Sequence, residues 1–360
     1  MTTTTVKTTP AVPMLRRYVM RNFRVGIAFI ILFALLGLTI SLNSRFFTPP
    51  VITSTANQSM TLVFAGMAQT TVVITGGIDL SVGPIISLSN SLASATFVEP
   101  DSGINIILVV VAVLGVASLA GLVNGLIVVY GRLQPIIVTL ATASIYSGIA
   151  LYLRPRPGGY VPDAYGNLLT QRVGQLLPAS LFGDDPTGIA AFLKDLFNFI
   201  PASVILLLVV LLVVWIPFRR SRLGMWVYAV GSNEGAAYMS GVNVRRAKVF
   251  AYVLGGFFAG VAGLFLTAQT RSGDATTGAV FTLQSIAVVV LGGTSLFGGS
   301  GGVIGTIAGA IALRLIPTIL FFARVNPLQQ PLWEGAVILL AVAAGASRIL
   351  TVRNRLDTMR

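Results

Sequence analysis

Residue types that usually carry enzyme chemistry are scarce in this sequence. Its 360 residues include no cysteine and no histidine, which excludes disulfides, thiol nucleophiles, imidazole bases and histidine-ligated metal sites. None of the lysines Lys7, Lys194 and Lys248 follows a glycine, so the sequence contains no Walker A phosphate loop. We therefore expect no catalytic residue, no metal and no cofactor, and any use of ATP would need a separate ATPase subunit.

Small polar side chains recur on one face of a predicted apolar helix. The face consists of Ser87, Asn90, Ser91 and Ser94. Their spacing of i, i+3, i+4 and i+7 places them on one side of a helix. Hydroxyl and amide groups would bind a neutral polyol weakly enough to release it, which favours a translocation path. Small polar residues also pack membrane helices together, so both interpretations remain open.

A second candidate site lies in the polar loop of residues 219–248. Its centre predicts a two-turn helix that starts at Ser232 or Asn233, both good N-caps, and ends at Gly241. Its alanines would form a smooth ridge for a partner's groove, and a tyrosine and a methionine would add contact area. The candidate contact residues are Glu234, Ala236, Ala237, Tyr238, Ser240 and Gly241. An incidental surface helix is the competing interpretation.

A glycine motif occurs twice in the chain. Residues 72–83 align without gaps on residues 288–299, and the Gly-Gly pair, a leucine and the final glycine coincide. Paired glycines let the backbone turn sharply or pack closely, and Asp79 or Ser81 is a candidate cap for the next helix. The motif residues are Gly76, Gly77, Asp79, Ser81, Gly83, Gly292, Gly293, Gly298 and Gly299. The duplication favours a repeat around a shared functional core; tight turns between helices are the simpler alternative.

The composition indicates which elements position these residues. The chain is 55% hydrophobic and 10% charged, and its apolar blocks approach or exceed the roughly 18 residues of a spanning helix. We expect an all-α membrane protein with about ten transmembrane helices and an internal repeat. The first helix is interpreted as uncleaved, because its apolar run is too long for a signal peptide. The predicted spans are residues 25–42, 58–76, 83–98, 104–130, 135–153, 203–218, 249–269, 284–299, 302–322 and 332–347.

The distribution of charge predicts the orientation in the lipid bilayer. With both termini in the cytoplasm, the cytoplasmic segments carry sixteen of the 24 Lys and Arg residues, as the positive-inside rule requires. No basic run interleaves with aromatic residues, so the net charge of +13 does not indicate a nucleic acid partner. The predicted parts are a cytoplasmic tail (1–24), a transmembrane domain (25–347) with an outer loop (154–201) and a cytoplasmic loop (219–248), and a cytoplasmic C-terminal tail (348–360).

Four motifs carry a resemblance to a known family. They are residues 76–83 (Gly-Gly-Ile-Asp-Leu-Ser-Val-Gly), residues 228–233 followed by 234–241, residues 241–246 (Gly-Val-Asn-Val-Arg-Arg), and residues 292–299 (Gly-Gly-Thr-Ser-Leu-Phe-Gly-Gly). In this order and spacing they resemble the permease subunits of bacterial ATP-binding-cassette (ABC) importers of the ribose-type monosaccharide class. One departure is that Thr282 and Gln284 stand where the family usually has a Glu-Leu-Asp run, which puts the role of those acids in doubt.

The resemblance implies an ABC-importer permease fold in the bacterial cytoplasmic membrane. It also implies three kinds of protein partner. Two permease subunits, as a homodimer or with a sibling chain, would form the pathway, and ABC ATPase subunits would bind the cytoplasmic face. A periplasmic solute-binding protein would deliver a small sugar. Residues 234–241 would form the coupling helix that docks on the ATPase.

The main rival is a secondary transporter driven by an ion gradient. Such proteins place ionisable residues within the membrane, and the candidates here are only Arg314, Asp79 and Glu334. A membrane-embedded enzyme is a weaker rival, because the chain lacks histidine, cysteine and any carboxylate pair close in sequence.

Overall fold

The computed structural model describes residues 14–99, 102–178, 188–336 and 339. Residues 1–13 of the predicted N-terminal tail, residues 340–347 of the last predicted span and the C-terminal tail 348–360 lie outside the described residues. In chain order the helices are α1 (Met14–Leu42), α2 (Pro49–Ile74), α3 (Val82–Thr96), α4 (Gly103–Tyr130), α5 (Pro135–Leu153), α6 (Asp163–Thr170), α7 (Val173–Leu176), α8 (Ile189–Phe199), α9 (Ala202–Val210), α10 (Ile216–Arg220), α11 (Arg222–Ser232), α12 (Glu234–Met239), α13 (Val244–Thr270), α14 (Val280–Leu291) and α15 (Val303–Phe322). A π-helical turn joins α9 to α10, and residues 331–336 are also helical.

Six helices of the described chain are long and apolar enough to cross a membrane. They are Val25–Leu42, Gly103–Tyr130, Pro135–Leu153, Ala202–Arg220, Val244–Thr270 and Val303–Phe322. The described residues form no β-strand, only two isolated bridges, so the prediction of an all-α membrane protein is confirmed. The count of ten spans stays a prediction, because α2 begins with a polar stretch and α3 and α14 have only 15 and 12 residues.

Helix α13 lies at the centre of the bundle and packs against α2, α3 and α4. Glycines allow its backbone to touch that of α4. A Cβ on Gly256 would overlap the Ala117 carbonyl oxygen, and a Cβ on Gly121 would overlap that of Tyr252. Lipid provides no hydrophobic force between helices, so close packing of small residues of this kind holds membrane bundles together.

The peripheral helices present large apolar side chains outward. Ile107 of α4, Ile137 of α5 and Leu212 of the π-helical turn are all more than half exposed in the single chain. In a soluble protein such a surface would aggregate. Here it faces lipid or another membrane subunit.

The connections of the bundle gather at two ends. At one end, called here the α12 end, residues 75–77, 131–134, 219–248 and 292–302 lie together around α12. At the other end, the α8 end, residues 154–178 contact the start of α2 and residues 271–273. Asn57 donates to the Thr170 carbonyl at 2.7 Å, and Gly158 pairs with Gly273 in a β-bridge.

The long connection between α5 and α9 is more ordered than its turn-rich sequence suggests. Its described parts contain α6, α7 and α8. The Tyr165 hydroxyl donates to the Leu264 carbonyl at 2.8 Å, and burial raises the pKa of this phenol. Arg271 donates to Asn167 at 2.7 Å and pairs with Asp163 at 3.1 Å. These contacts fasten α6 onto the end of α13.

Candidate functional site

Both glycine motifs form the same kind of turn, but one residue out of register with the sequence alignment. After α2, the N–H of Gly76 donates to Val73 and that of Gly77 to Val72; after α14, Gly293 donates to Val290 and Thr294 to Val289. Each is a Schellman motif, in which the residue after the cap takes a positive φ. That residue is Gly76 (φ 83) in the first turn and Gly293 (φ 79) in the second. The alignment paired Gly76 with Gly292, which is wrong for the turn geometry because Gly292 is the cap itself.

The first turn contacts the end of the second glycine motif and α11 at the α12 end. Gly299 donates its N–H to the Ile74 carbonyl at 2.9 Å. A Cβ on Gly298 would lie 2.9 Å from the Gly76 nitrogen, and a Cβ on Gly231, near the end of α11, would overlap the Ile74 carbonyl oxygen. We call Gly76, Gly231, Gly298 and Gly299 the glycine junction. It brings the first turn, the end of the second glycine motif and α11 into direct backbone contact.

Helix α11 is also fastened to the second turn by a side chain. The Tyr228 hydroxyl donates to the Gly301 carbonyl at 3.0 Å, and the Arg219 guanidinium lies 3.9 Å from the centre of the Tyr228 ring. Burial raises the pKa of the Tyr228 phenol, and the neighbouring Arg219 opposes that rise. The loop before α12 is therefore held to the bundle by both backbone and side-chain contacts.

Helix α12 forms where the sequence predicts the candidate contact helix. Asn233 is its N-cap and accepts from the Ala236 N–H at 2.9 Å. Gly241, with φ 78, closes a Schellman motif at its end, since its N–H donates to Tyr238. Glu234 accepts from Lys248 at 2.6 Å in an ion pair whose Glu234 side chain is 57% exposed and whose Lys248 side chain is 25% exposed. Ion pairs at the protein surface contribute about 0–1 kcal/mol. This partner of Glu234 was not predicted.

The exposed face of α12 differs from the expected alanine ridge. Ala237 is only 5% exposed because it turns inward onto the bundle, so the expectation that both alanines face a partner is wrong. Tyr238 and Met239 are 71% and 85% exposed, and Ala236 and Ser240 are exposed beside them. The surface available to a partner is therefore aromatic and thioether rather than smooth.

Asp79 organises a buried polar network after the first turn. Its Oδ1 accepts from the Ser81 N–H at 2.8 Å and from the Ser81 hydroxyl at 2.6 Å. Asn124 of α4 donates to the Ser81 hydroxyl at 2.7 Å, and Tyr146 of α5 donates to Asn124 at 3.2 Å. Ser81 occupies the N-cap position of α3, but its side chain accepts no backbone hydrogen bond there. Capping by Ser81 was therefore wrong, and the network instead ties α3 to α4 and α5.

The polar face of α3 is buried within the single chain. Asn90 donates to Thr267 at 2.9 Å and to the Ser272 carbonyl at 3.1 Å, and accepts from the Asp274 N–H at 2.6 Å. Ser87 accepts from the Gly278 N–H at 3.0 Å. This geometry fits the packing interpretation of Asn90 and Ser87, because their polar groups already have partners.

The other two residues of this face differ from each other. Ser94 accepts from Arg154 Nε at 3.1 Å, and the same guanidinium donates to the Ser94 carbonyl. The Ser91 hydroxyl is buried and has no hydrogen-bond partner within the described residues. Ser91 is thus the member of the face whose polar group has no partner.

Thr282 and Gln284, which depart from the family pattern, contact residues of neighbouring elements. Gln284 accepts from Arg314 of α15 at 3.3 Å and donates to Glu334 at 3.4 Å. A neutral amide therefore bridges a cation and a carboxylate. Thr282 packs against Gly83 at the start of α3.

The matching family is the one described as "Branched-chain amino acid transport system / permease component", whose model matches residues 51–344. The chain belongs to this permease family. It is 32% identical to the ribose import permease protein of Haemophilus influenzae over 332 residues, which cover 90% of this chain and 95% of the relative. The ribose import permease protein of Bacillus subtilis is 33% identical, with coverages of 87% and 90%. The galactose/methyl galactoside import permease protein of Haemophilus influenzae is 31% identical, with 88% and 92%. No solved structure matches the chain.

Membership of the permease family confirms the resemblance drawn from the four motifs. The chain is a multi-pass membrane protein and a transport component rather than an enzyme. The sequence indicated the glycines of both turns, the motif that contains Tyr228 and Gly231, and the position of α12 in this permease. It did not indicate Asn124, nor the contacts of Tyr228 with Gly301 and of Gly231 with Ile74, since these partners are remote in sequence and no spacing rule connects them.

Proposed function

We propose that this chain is the transmembrane permease subunit of an ATP-driven importer in the bacterial inner membrane, and that it translocates a monosaccharide or related polyol. A periplasmic binding protein delivers the solute, a separate ABC ATPase supplies the energy, and a second permease subunit completes the pathway. The relatives named for ribose or galactose import support the sugar class. The observation that carries the proposal is the attachment of α12 to the glycine junction.

The position of α12 between an exposed surface and the glycine junction allows it to transmit movement. Its outer face offers Tyr238 and Met239 to a partner, while its N-cap follows Gly231 by two residues. Because the backbones at the glycine junction are in contact, a displacement of α12 must displace the first turn and the end of the second motif or break their packing. An ATPase that pulls on α12 would therefore move α3 and α15, the helices that follow the two turns.

The proposed topology has ten crossings, with both termini and the α12 end in the cytoplasm. Two groups of cations at that end, Arg219 and Arg220 in one and Arg245 and Arg246 in the other, support this orientation under the positive-inside rule. The connections expected in the cytoplasm also gather at the α12 end, and those expected outside gather at the α8 end. Residues 154–201 then belong to the periplasmic face, where a binding protein docks.

The proposed path for the solute runs beside α3 at the interface of two permease subunits. Ser91 is the strongest candidate to line it, because its hydroxyl is unpartnered. All four side chains are buried in the single chain, so each would reach the path only after α3 moves. Ser87 and Asn90 would then have to leave Gly278 and Asp274, and Ser94 would have to leave Arg154. A path of this kind opens when α3 moves with the first turn.

An ion-coupled secondary transporter is less well supported. Arg314 and Glu334 are bridged by Gln284, and Asp79 has one oxygen bonded to Ser81. These partners give Arg314 and Glu334 structural roles, while the second carboxylate oxygen of Asp79 is buried without a partner in the described residues. Three relatives are named as a ribose import permease, a probable ABC transporter permease and a permease of a D-allose transport system.

Docking on α12 is tested by truncating its two exposed side chains. The double variant Tyr238→Ala with Met239→Ala should lose its cognate ATPase during co-purification, because exposed aromatic anchors contribute about 2 kcal/mol or more at interface centres. Thermal stability of the permease alone should not change, since neither side chain is buried. Phe192→Ala, which truncates an exposed side chain of α8, is the matched control. Equal ATPase recovery from both variants would refute the docking site.

A further inference from the structure

A cavity of about 1160 Å³ opens at the α12 end, beside the glycine junction. The start of α13, the α4–α5 connection, α12 and the first turn enclose it. Three cations, Arg132, Arg245 and Lys248, line it together with one acid, Glu234. Lys248 is already paired with Glu234. Arg132 and Arg245 have no ion-pair partner in the part of the chain that the structure describes, so the cavity carries excess positive charge.

A buried phenol adds a hydrogen-bond donor to this cavity. Tyr252 of α13 lines it, is 1% exposed, and its hydroxyl has no hydrogen-bond partner within the described residues. Buried polar groups in folded proteins are nearly always paired. An unpaired donor at the wall of a cationic cavity is therefore placed to meet an acceptor that the chain itself does not supply.

The backbone conformation of Arg132 also supports a ligand site at this cavity. Arg132 has φ 53, a left-handed conformation that costs a non-glycine residue roughly 1–2 kcal/mol. Such strain persists where surrounding structure requires it, often at ligand sites. Arg132 lies in the short connection between α4 and α5 and lines the cavity.

The other half of the lining is apolar and continues onto the outer surface. Val129 and Leu133 line the cavity. Next to them Tyr130, Ile136 and Ile137 are 61%, 47% and 59% exposed on α4 and α5. Tyrosines at the ends of spans mark the level of the lipid headgroups. The cavity thus opens from a charged pocket onto a surface that faces hydrocarbon.

We propose that this cavity binds the headgroup of an anionic phospholipid. Arg132 and Arg245 supply the charge that neutralises the phosphate, and Tyr252 supplies a neutral donor. The apolar part of the lining, Val129 and Leu133, packs against the part of an acyl chain that is nearest to the glycerol. Basic pockets between membrane helices bind anionic headgroups in this way. A soluble anion would satisfy the charges but leave the apolar half of the lining unused. The inference does not depend on the transported solute or on the direction of transport.

Lipid retention by the purified chain tests the proposal. The protein is exchanged into detergent with trace phosphatidylglycerol or phosphatidylcholine, and bound lipid is counted by native mass spectrometry. Wild type should retain phosphatidylglycerol and not phosphatidylcholine. Arg245→Gln should lower retention about five-fold, and Arg132→Asn with Arg245→Gln about 25-fold, because each basic residue near an anionic lipid surface contributes a factor of about five. Asparagine is chosen at position 132 because it tolerates positive φ.

Two controls keep the test specific. Arg246→Gln changes the same charge one residue further along α13 but does not line the cavity, and it should retain lipid like wild type. Tyr252→Phe removes only the unpartnered hydroxyl, so it should weaken retention without lowering the melting temperature of the lipid-free protein. A melting curve for each variant shows whether it is folded.

Three results would overturn the proposal. One is equal retention by Arg245→Gln and Arg246→Gln. Another is displacement of the lipid by glycerol 3-phosphate at equal concentration, which would assign the cavity to a soluble anion. The third is unchanged lipid retention with lost ATPase binding in the double arginine variant, which would assign the cationic lining to an acidic segment of the ATPase.

Discussion

Asn90 and Ser91 are neighbours on α3 but differ in how their polar groups are satisfied. Asn90 makes three hydrogen bonds to α13 and the segment that follows it, whereas the Ser91 hydroxyl makes none within the described residues. Spacing along a helix predicts that both lie on one face, and both are buried. It cannot predict which of them is occupied by packing, because that depends on residues nearly two hundred positions away.

Ser91→Ala separates solute binding from packing most cleanly. Its hydroxyl has no partner, so removal should leave the free energy of unfolding within about 0.5 kcal/mol of wild type or raise it. If Ser91 lines the path, uptake of the solute should fall in the reconstituted transporter while ATPase binding is kept. Unchanged uptake and unchanged stability would remove Ser91 from the path.

Asn90→Leu should act through stability instead. The substitution leaves the Asp274 N–H without its acceptor, at a cost of about 1–3 kcal/mol for a buried group left unpaired. The Thr267 hydroxyl keeps its hydrogen bond to the Gly263 carbonyl. The melting temperature of the purified permease should therefore fall together with uptake. Lost uptake at an unchanged melting temperature would contradict the packing role.

The carboxylate of Asp274 should make the α8 end sensitive to acid. Hydrogen bonds from the Thr276 N–H and from the Thr276 and Thr277 hydroxyls hold the pKa of Asp274 below its usual value. A group with a lowered folded pKa stabilises the fold above its unfolded value of about 3.9, and this contribution is lost as the pH falls through the lower folded pKa. Wild type should thus be more stable than Asp274→Asn at pH 7, and the difference should shrink as the pH falls below about 3.9. A difference that is constant with pH would contradict this assignment.

Each glycine turn was predictable from the sequence, but the contacts at the glycine junction were not. Paired glycines after apolar runs indicate a turn with positive φ, and Gly76 and Gly293 adopt it. The one-residue shift between the turns arises because Thr75 caps α2 while Gly292 caps α14, and an ungapped alignment does not distinguish a cap from the residue after it. The contact with Gly231 depends on the position of α11, which no local pattern encodes.

Gly231→Ala tests whether the glycine junction transmits movement. The new Cβ would overlap the Ile74 carbonyl oxygen, so α11 must shift away from the first turn, at a cost of about 1–3 kcal/mol. In the assembled transporter, solute imported per ATP hydrolysed should fall about five-fold or more, while hydrolysis itself continues. The ratio is measured in proteoliposomes with the ATPase and the binding protein.

Gly148→Ala is the control for this substitution, since no atom lies within 4 Å of a Cβ there. It should keep the wild-type ratio. If Gly231→Ala lowers uptake and hydrolysis in the same proportion, the junction has only a structural role.

At the scale of the whole molecule, composition predicted the fold class and hydropathy located the most apolar spans. The shorter and more polar helices were harder to assign, because α2 and α3 bury hydroxyl and amide groups against protein rather than lipid. For the same reason the number of crossings stays a prediction. The ordered helices between α5 and α9 were also missed, since their proline- and glycine-rich sequence resembles a simple loop.

The orientation of the chain can be measured directly because it contains no cysteine. Met239→Cys on α12 and Phe192→Cys on α8 place single thiols at exposed positions at the two ends of the bundle. In intact cells, a membrane-impermeant maleimide should label Phe192→Cys only. Inverted membrane vesicles should reverse the pattern. Labelling of both variants from the same side would refute the proposed topology.

We expect this permease to import its solute only when a separate ATPase acts on α12. The test uses proteoliposomes that contain the chain, its partner permease and the cognate ATPase, and that are supplied with binding protein loaded with a monosaccharide. The monosaccharide should accumulate only with ATP, and the double variant Tyr238→Ala with Met239→Ala should abolish this accumulation. Accumulation driven by a proton or sodium gradient in proteoliposomes that contain the chain without any ATPase would contradict it.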